Sequence, residues 1–439
     1  MLRGVKPLDI IIKLDKEDSF QLAGIYEVFN IEDPRDFKYT FWNKQLNMLP
    51  RFPSPQAIDL LMISFAVYKA DRVFERKDAD NSWERTFHLH VPVLKKDLFE
   101  SNKELLRETV SFLTGDRWNF SFRGRDLTSK EITLRCRMNQ LKLFNKDVNK
   151  ICMLSGGLDS FIGAIDLLED DERGTSFVSI YGGGKGARGY QELLKGELSR
   201  KYLIPEGSFY SFYAASTRGV EGTTRSRSFM FYSHAIAIAT CFNRDIKLVV
   251  PENGFIALNI PLTYSRIGTS STRTTHPHYM KLFQKLLDAL GIKVSFNNPY
   301  RFKTKGEMIS ECRNSEFLSR NIVNTMSCSH PDSGRMRKED RTRHCGTCYP
   351  CLIRRAAINK AGINDKTEYY DSNFVLGKTA QTNLNSYLLG LEKHEPEKAF
   401  LSVQMSGPID SNINQYESMY KRGIEELIEI LEDYRDKNR

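Results

Sequence analysis

From about residue 149 the chain alternates short apolar runs with amphipathic segments, and this pattern constrains the fold more than any other feature. The apolar runs predict strands at Ile151–Leu154, Phe177–Tyr181, Phe209–Tyr213 and Ile246–Val250. The segments between them predict helices at Ser160–Leu168, Tyr190–Tyr202 and Phe229–Phe242. Such alternation is typical of an α/β fold with a parallel sheet covered on both faces. Ligands of these sheets bind at the carboxyl ends of the strands, near the point where the strand order switches.

Three regions are expected, because 439 residues exceed one typical domain. Residues 1–145 predict an α+β accessory domain, residues 146–365 the parallel-sheet domain, and residues 366–439 a helical extension. The elements predicted in the first region are strands at Leu8–Leu14, Arg85–Val93 and from Arg117 and Glu131, with helices at Gln56–Phe74 and Ser101–Leu113. The extension is expected to end in a charged amphipathic helix at Gln415–Arg435.

The composition favours a cytoplasmic protein with no membrane span. Charges interrupt the apolar N-terminal stretch, which is unlike a signal peptide. The longest apolar run, Met230–Phe242, contains His234 and is shorter than the roughly 20 residues that a span needs. The net charge of +9 is compatible with polyanionic partners. A basic insert at Arg335–Arg343 can contact nucleic-acid phosphates, but it lacks aromatic residues for base stacking, so a solvated loop is favoured.

The first strand of the alternating region is followed by the hexapeptide SGGLDS. Its members are Ser155, Gly156, Gly157, Leu158, Asp159 and Ser160. Glycines let the backbone turn sharply and approach a ligand closely, and the freed N–H groups at a helix N-terminus bind anions. A simple turn with an N-cap is the alternative reading. The position after the first strand favours a phosphate site, although the lysine of a Walker-type loop is missing.

Four cysteines are grouped with metal-site spacing. Cys328, Cys345, Cys348 and Cys351 form the pattern C-x16-C-x2-C-x2-C. Four thiolates predict a closed, structural zinc site, and a cytoplasmic location disfavours disulfides. An iron–sulfur cluster is the rival interpretation, and His330 or His344 can replace one cysteine as a ligand.

His88 and His90 are a second possible pair of metal ligands. They lie two residues apart on a predicted strand and therefore face the same side of it. No cysteine or carboxylate pattern accompanies them in the sequence, so ordinary strand histidines are favoured.

These motifs resemble those of a known superfamily. SGGLDS resembles the SGGxDS loop of the PP-loop ATP pyrophosphatases, and its pairing with the cysteine quartet is similar to 7-cyano-7-deazaguanine synthase (QueC). Thr224–Ser228 resembles the family's entry to a helix near the nucleotide, and Thr304–Ile309 resembles its TKxEI segment. Cys345–Ala357 resembles its CGxCxxCxxR motif, with Arg354 as the arginine. The resemblance covers about residues 150–363 and implies a Rossmann-like sheet of the adenine nucleotide alpha hydrolase type.

The resemblance also implies an activity and its residues. Family members use ATP with Mg²⁺ to adenylate a carboxylate, here that of 7-carboxy-7-deazaguanine, releasing pyrophosphate and then AMP as nitrogen attacks. The implied catalytic residues are Asp159, Ser160 and Lys305. The implied ATP-binding residues are the SGGLDS loop with Arg225 and Arg227. Glu252 and Gly254 follow the predicted strand Ile246–Val250 and are expected beside the ligand crevice, so they are candidate substrate residues, and His276 is a further candidate for proton transfer. In the alternative interpretation, the two arginines lie at the surface and Lys305 is an ordinary lysine at the start of a helix. Glu252 is then a solvated loop residue and His276 is structural.

The chain also departs from the small biosynthetic enzyme. Its first 145 and last 75 or so residues have no counterpart there, and the family's substrate segment is not matched. Large QueC-like proteins with an added N-terminal domain occur in bacterial anti-phage defence systems (Qat and type IV CBASS), and the chain resembles that branch. This implies a partner protein from the same operon, and the acceptor is then either ammonia, giving the amide or nitrile, or the partner's N-terminal amine. A tRNA-modifying PP-loop enzyme and a catalytically silent nucleotide-binding scaffold are the alternatives.

Overall fold

A computed structural model describes residues 7–140, 147–170, 174–182, 185–223, 225–262, 273–332 and 342–437. The strands in these ranges are β1 (Leu8–Lys13), β2 (Glu27–Asn30), β3 (Phe37–Tyr39), β4 (Thr86–Val93), β5 (Arg117–Gly124), β6 (Lys150–Met153), β7 (Thr175–Tyr181), β8 (Phe209–Ser216), β9 (Ile246–Val249) and β10 (Val294–Asn297). The helices are α1 (Pro55–Val73), α2 (Lys96–Ser101), α3 (Lys103–Thr114), α4 (Ser129–Gln140), α5 (Leu158–Glu169), α6 (Lys185–Tyr202), α7 (Arg227–Thr240), α8 (Gly254–Leu258), α9 (Pro277–Ala289), α10 (Lys305–Ser310), α11 (Ser315–Asn321), α12 (Tyr349–Lys360), α13 (Lys378–Glu392), α14 (Ala399–Met405) and α15 (Ile413–Lys437).

The larger sheet has the strand order β10-β9-β6-β7-β8-β3. Strands β10 to β8 are parallel, and the short strand β3 joins the edge antiparallel to β8. The chain runs outward from β6 to β8 and then returns to add β9 on the other side of β6. The switch in strand order therefore lies between β6 and β9, where ligands of such sheets bind. This topology confirms the α/β class with parallel strands and all four strands predicted for this region.

The smaller sheet has the order β2-β1-β4-β5, and its strands are all parallel. Helix α1 packs against α7 of the larger sheet, and one hydrophobic core extends across both sheets. That core contains Ile10 and Leu89 of the small sheet, Phe65 of α1, and Phe212 and Phe229 of the later region. The N-terminal elements are therefore bound tightly to the larger sheet.

The segment from Glu131 is helical, so the prediction of a strand there is wrong. Its alternating apolar residues matched a strand, but only Leu134 and Met138, four residues apart, are buried, while Ile132 is 44% exposed. Thr128 and Glu131 explain where the helix begins. The Glu131 carboxylate accepts from the Thr128 N–H at 2.7 Å, and the Thr128 hydroxyl accepts from the Glu131 N–H at 3.3 Å. This reciprocal pair is a capping box, which stabilises the start of a helix.

The C-terminal helices form a third hydrophobic cluster against α12, the helix that contains Cys351. Phe255, Leu352, Tyr387, Met419 and Leu427 are among its buried members. The predicted final helix is confirmed by α15. Across the ranges given above, no helix has both the length and the apolar character that crossing a membrane requires.

Candidate functional site

The SGGLDS loop connects the end of β6 to the start of α5 at the switch point of the sheet. Gly156 has a φ of +88°, which favours glycine. A side chain at Gly156 would lie 3.2 Å from Gln191 of α6, and one at Gly157 would lie 3.5 Å from the Met326 carbonyl oxygen. Glycine is therefore favoured at position 156 by both its φ and the close contact with α6, while Gly157 lies at an ordinary contact distance from the Met326 backbone.

Hydrogen bonds between serine side chains and the loop backbone stabilise this turn. The Ser155 and Ser160 hydroxyls lie 3.1 Å apart, and Ser160 donates to the Gly157 carbonyl at 2.9 Å. Ser155 also accepts from the Gly157 N–H at 3.3 Å, and Gln191 donates to the Ser155 carbonyl at 3.1 Å. Ser155 is exposed, so its hydroxyl is accessible to a ligand at the helix N-terminus.

Asp159 forms the centre of a buried polar cluster. Its carboxylate lies 2.6 Å from the Lys305 ammonium, and both side chains are 7% exposed. Asn253, which follows β9, donates its side-chain amide to the same carboxylate at 2.6 Å and its N–H at 3.2 Å. Three separate segments of the chain therefore meet at Asp159, beside the phosphate-type loop.

Glu252 provides a second carboxylate next to this cluster. Burial, and then the neighbouring Asp159 charge, raise the pKa of Glu252 well above its ordinary value. Burial alone would raise the pKa of Asp159 as well, but the Lys305 ammonium and hydrogen bonds from neighbouring groups hold that pKa below its ordinary value. Two acidic groups with opposite shifts thus share one site, as is common at functional sites.

A close backbone contact fixes the segment that carries Glu252. The Gly254 N–H donates to the Lys303 carbonyl at 2.9 Å, and a side chain at Gly254 would lie 2.2 Å from the Arg301 carbonyl oxygen. Thr304 then caps α10 through a capping box with Glu307. Lys305 is the first residue of α10, so this cap determines where its ammonium lies.

The four cysteines form one cluster whose geometry fits a single tetrahedral ion. Their sulfurs all lie within 4.8 Å of one another, with Cys328 and Cys348 3.8 Å apart and Cys345 and Cys351 3.9 Å apart. Four thiolates at about 2.3 Å from zinc are separated by about 3.8 Å, whereas a disulfide needs about 2.05 Å. An iron–sulfur cluster holds its thiolates around several metal ions and hence farther apart. The cluster is therefore consistent with structural zinc.

The cysteine cluster is connected directly to the SGGLDS loop. The Met326 N–H donates to the Gly156 carbonyl at 2.7 Å, two residues before Cys328. His344 accepts from the Ser327 N–H at 3.2 Å. Arg354 is fully buried and donates to the Thr325 hydroxyl at 2.6 Å and to the Ile322 carbonyl at 2.7 Å. The backbone between the loop and the cysteines is thus held at both ends.

Three predicted site residues are placed beside other parts of the chain. Arg225 lies over the Trp83 ring and donates to the Thr114 carbonyl at 3.4 Å. Arg227 is exposed and lies over Phe231. His276 is buried, with its Nε2 3.1 Å from the Ser406 hydroxyl. Among the contacts of the described residues, none joins these three side chains to the loop. Most of the basic insert from residue 335 lies outside the described residues.

Three residues at the site were missed from the sequence. Asn253 makes the two contacts to Asp159 and also caps the N-terminus of α8. The sequence signal for this role was an asparagine directly before a glycine at the start of a helix. Glu426 of α15 accepts from the Thr304 hydroxyl and from the Gly306 N–H at 3.3 Å. Met326 contributes only its backbone. Neither Glu426 nor Met326 has a local sequence signal, because both reach the site through long-range packing.

Comparison with known proteins shows a short region of similarity. No protein-family model matches the chain. Over 39 residues the chain is 51% identical to a 7-cyano-7-deazaguanine synthase from Sinorhizobium fredii (strain NBRC 101917 / NGR234). The matched stretch is 9% of this chain and 16% of that protein. Part of the chain is therefore similar to a QueC enzyme, and most of both chains lies outside the match.

Proposed function

We propose that the chain is a QueC-like, ATP-dependent enzyme of the PP-loop type that adenylates a carboxylate and transfers the acyl group to nitrogen. The observation that carries the proposal is the Asp159–Lys305–Asn253 cluster beside the SGGLDS turn, at the switch point of a parallel sheet. The reaction requires an anion-binding turn, carboxylates and a buried cation. The turn and the carboxylates follow β6 and β9, and Lys305 reaches them from the start of α10, which follows β10. Residues 146–365 then form the catalytic unit.

Each group at the site has a role in this reaction. The backbone of the Gly156–Gly157 turn at the N-terminus of α5, together with the exposed Ser155 hydroxyl, binds the β and γ phosphates that leave as pyrophosphate. The Lys305 ammonium stabilises negative charge on the α phosphate during attack. Asp159 and Glu252 would hold Mg²⁺, because a carboxylate has about four acceptor sites and Asp159 uses only part of its capacity for Lys305 and Asn253. When bound, the ion would supply positive charge that offsets the charge of the phosphates.

The finer features of the proposal rest on the resemblance. The carboxylate is that of 7-carboxy-7-deazaguanine, and Glu252 and Gly254 border its pocket. The acceptor nitrogen is ammonia, giving the amide or nitrile, or the N-terminal amine of a partner protein in an antiviral defence system. In the second case the N-terminal α+β region, whose core is continuous with that of the larger sheet, is the surface for docking the partner.

A pyrophosphate-exchange assay tests the adenylation step by itself. Labelled pyrophosphate is incorporated into ATP only when the enzyme forms the acyl-adenylate reversibly, and no nitrogen donor is needed. We expect exchange that depends on 7-carboxy-7-deazaguanine and falls at least about 100-fold in Asp159→Asn, as loss of a positioning or charge-stabilising group typically does. Asp170→Asn, at the exposed far end of the same helix, is the matched control and should exchange normally.

The same assay separates the alternatives. Exchange that requires tRNA in place of the deazaguanine would show a tRNA-modifying enzyme. Tight ATP binding without exchange, even after ammonia or a partner protein is added, would show a nucleotide-binding scaffold and overturn the proposal. If exchange is present, product mass with ammonia and with a peptide amine identifies the acceptor.

A further inference from the structure

We propose that Asp9, His88 and His90 form a second divalent-metal site on the small parallel sheet, separate from the cysteine cluster. The site is a two-histidine, one-carboxylate set, and its ligand atoms all lie within 4.8 Å of one another. The sequence favoured ordinary strand histidines because it showed no nearby carboxylate. The fold supplies one from the adjacent strand, 79 residues earlier in the chain than His88.

The register of the sheet brings the three side chains together. Asp9 of β1 is the direct Cα partner of His88 of β4, and His90 lies two residues further along the same strand. Since neighbouring positions across strands share a face, as do positions two apart, all three side chains project from one face. The residues next to them, Ile10 and Leu89, are fully buried on the opposite face. The pairing of β1 with β4 therefore fixes the positions of the three donor side chains relative to one another.

The donor atoms converge on one point. The Asp9 Oδ1 lies 3.1 Å from the His88 Nδ1 and 2.8 Å from the His90 Nε2. Tetrahedral ligands at about 2.0–2.1 Å from zinc lie roughly 3.3 Å apart, so small shifts of the side chains would admit an ion. Imidazole nitrogen with carboxylate oxygen is a donor set suited to Zn²⁺ and neighbouring transition metals.

A neighbouring hydroxyl orients one histidine. The His88 Nε2 lies 2.8 Å from the Ser121 hydroxyl on the next strand, β5. When Ser121 accepts the Nε2–H, the lone pair of Nδ1 faces Asp9, which is the arrangement a metal ligand needs. Metal-binding histidines commonly have an outer partner of this kind.

The site is accessible from solvent. The side chains of Asp9 and His88 are 34% and 27% exposed, and that of His90 is 10% exposed. This is notable because parallel sheets are usually covered on both faces. Three protein ligands leave at least one coordination position for water or an exchangeable ligand, unlike the closed cysteine set.

Cobalt binding tests the proposal in the full-length protein, prepared with one zinc ion per chain so that only the cysteines are occupied. We expect calorimetry to detect one Co²⁺ per chain in addition to the metal at the cysteines. Its near-ultraviolet absorption should lack the thiolate-to-cobalt charge-transfer band. Asp9→Asn and His88→Gln should each weaken this binding at least about 10-fold, and Ser121→Ala should weaken it by a similar factor, since outer partners typically contribute 10–100-fold. His394→Gln, a half-buried histidine elsewhere in the fold, is the control and should bind cobalt normally.

Absence of the additional cobalt, or affinity unchanged in both Asp9→Asn and His88→Gln, would overturn the proposal and leave a metal-free hydrogen-bonded set. If a variant does not fold, crystals of the wild type soaked in cobalt decide the question. An anomalous peak between the three side chains supports the site, and no peak there contradicts it.

Discussion

The Lys305 ammonium lies 2.6 Å from the Asp159 carboxylate and so joins the first turn of α10 to the first turn of α5. Both side chains are almost fully buried. Burying two charges is costly, and such a pair contributes little net stability compared with apolar residues. Its position beside the SGGLDS turn is better explained by the function proposed above, because a preorganised buried cation stabilises charge that develops on a phosphate.

The first prediction concerns loss of one partner of this pair. Lys305→Met leaves Asp159 buried without its counter-ion, and we expect the free energy of unfolding to fall by about 3–5 kcal/mol. Pyrophosphate exchange should be abolished. Urea denaturation and the exchange assay measure the two effects. Lys303→Met is the matched control, because Lys303 lies two residues earlier and forms an exposed pair with Glu311. It should change stability by less than about 1 kcal/mol.

Glu426 leads to a second prediction, in which the C-terminal helix positions Lys305. Its carboxylate accepts from the Thr304 hydroxyl and the Gly306 N–H, on either side of Lys305. Glu426→Ala leaves these donors unsatisfied, so we expect a loss of about 1–3 kcal/mol in the free energy of unfolding. The rate of exchange should fall more than ATP affinity does. Glu425→Ala, at the exposed neighbouring position, should leave the exchange rate and the stability unchanged. Equal effects of the two substitutions would contradict a positioning role.

Local patterns predicted the strands and helices that surround the site but not all of its contacts. The SGGLDS turn and the cysteine quartet are contiguous or regularly spaced, so both were recognisable in the sequence. The prediction of a strand from Glu131 was wrong because Leu134 and Met138 are four residues apart. This spacing fits two periods of a strand and also about one turn of a helix. Only the cap at Thr128 distinguishes the two cases.

Contacts between segments that are distant in the sequence could not be predicted, for a different reason. Asp9 and His88 become neighbours only through the register of β1 with β4. Arg225 was expected near the nucleotide because Thr224–Ser228 resembles the family's entry to a helix there. The N-terminal region instead provides Trp83 and Thr114 around its side chain. Neither relationship leaves a local pattern in the sequence.

The third prediction concerns the cysteine cluster. We expect the protein to contain zinc and no inorganic sulfide, and Cys348→Ser to lose one equivalent of zinc relative to wild type. Because Met326 donates to Gly156 two residues before Cys328, loss of the metal should also weaken ATP binding. Elemental analysis and calorimetry measure these effects. Cys136→Ser changes an exposed cysteine outside the cluster and should keep both the metal and the ATP affinity. Iron with sulfide would show that the zinc interpretation is wrong.

The last prediction follows from the raised pKa of Glu252. A carboxyl whose pKa lies well above its ordinary value retains a proton at pH values where other glutamates are ionised. If Glu252 holds Mg²⁺, binding of Mg²⁺ and ATP must release this proton, and the apparent affinity should rise as pH increases toward the folded-state pKa. Calorimetry in buffers of different ionisation enthalpy counts the protons released. Glu252→Gln should reduce the count by up to one, whereas Glu311→Gln, at an exposed position, should not change it.

Stability provides an independent measure of the same group. Because the folded-state pKa of Glu252 is above its unfolded value, its contribution to stability is fully present below the unfolded pKa and is lost as pH rises through the folded pKa. Wild type should therefore lose stability relative to Glu252→Gln as the pH rises through this range. A difference that does not change with pH would show that Glu252 titrates normally. In that case a proton release that persists in Glu252→Gln must come from another group, and the assignment of Glu252 to the cation would be wrong.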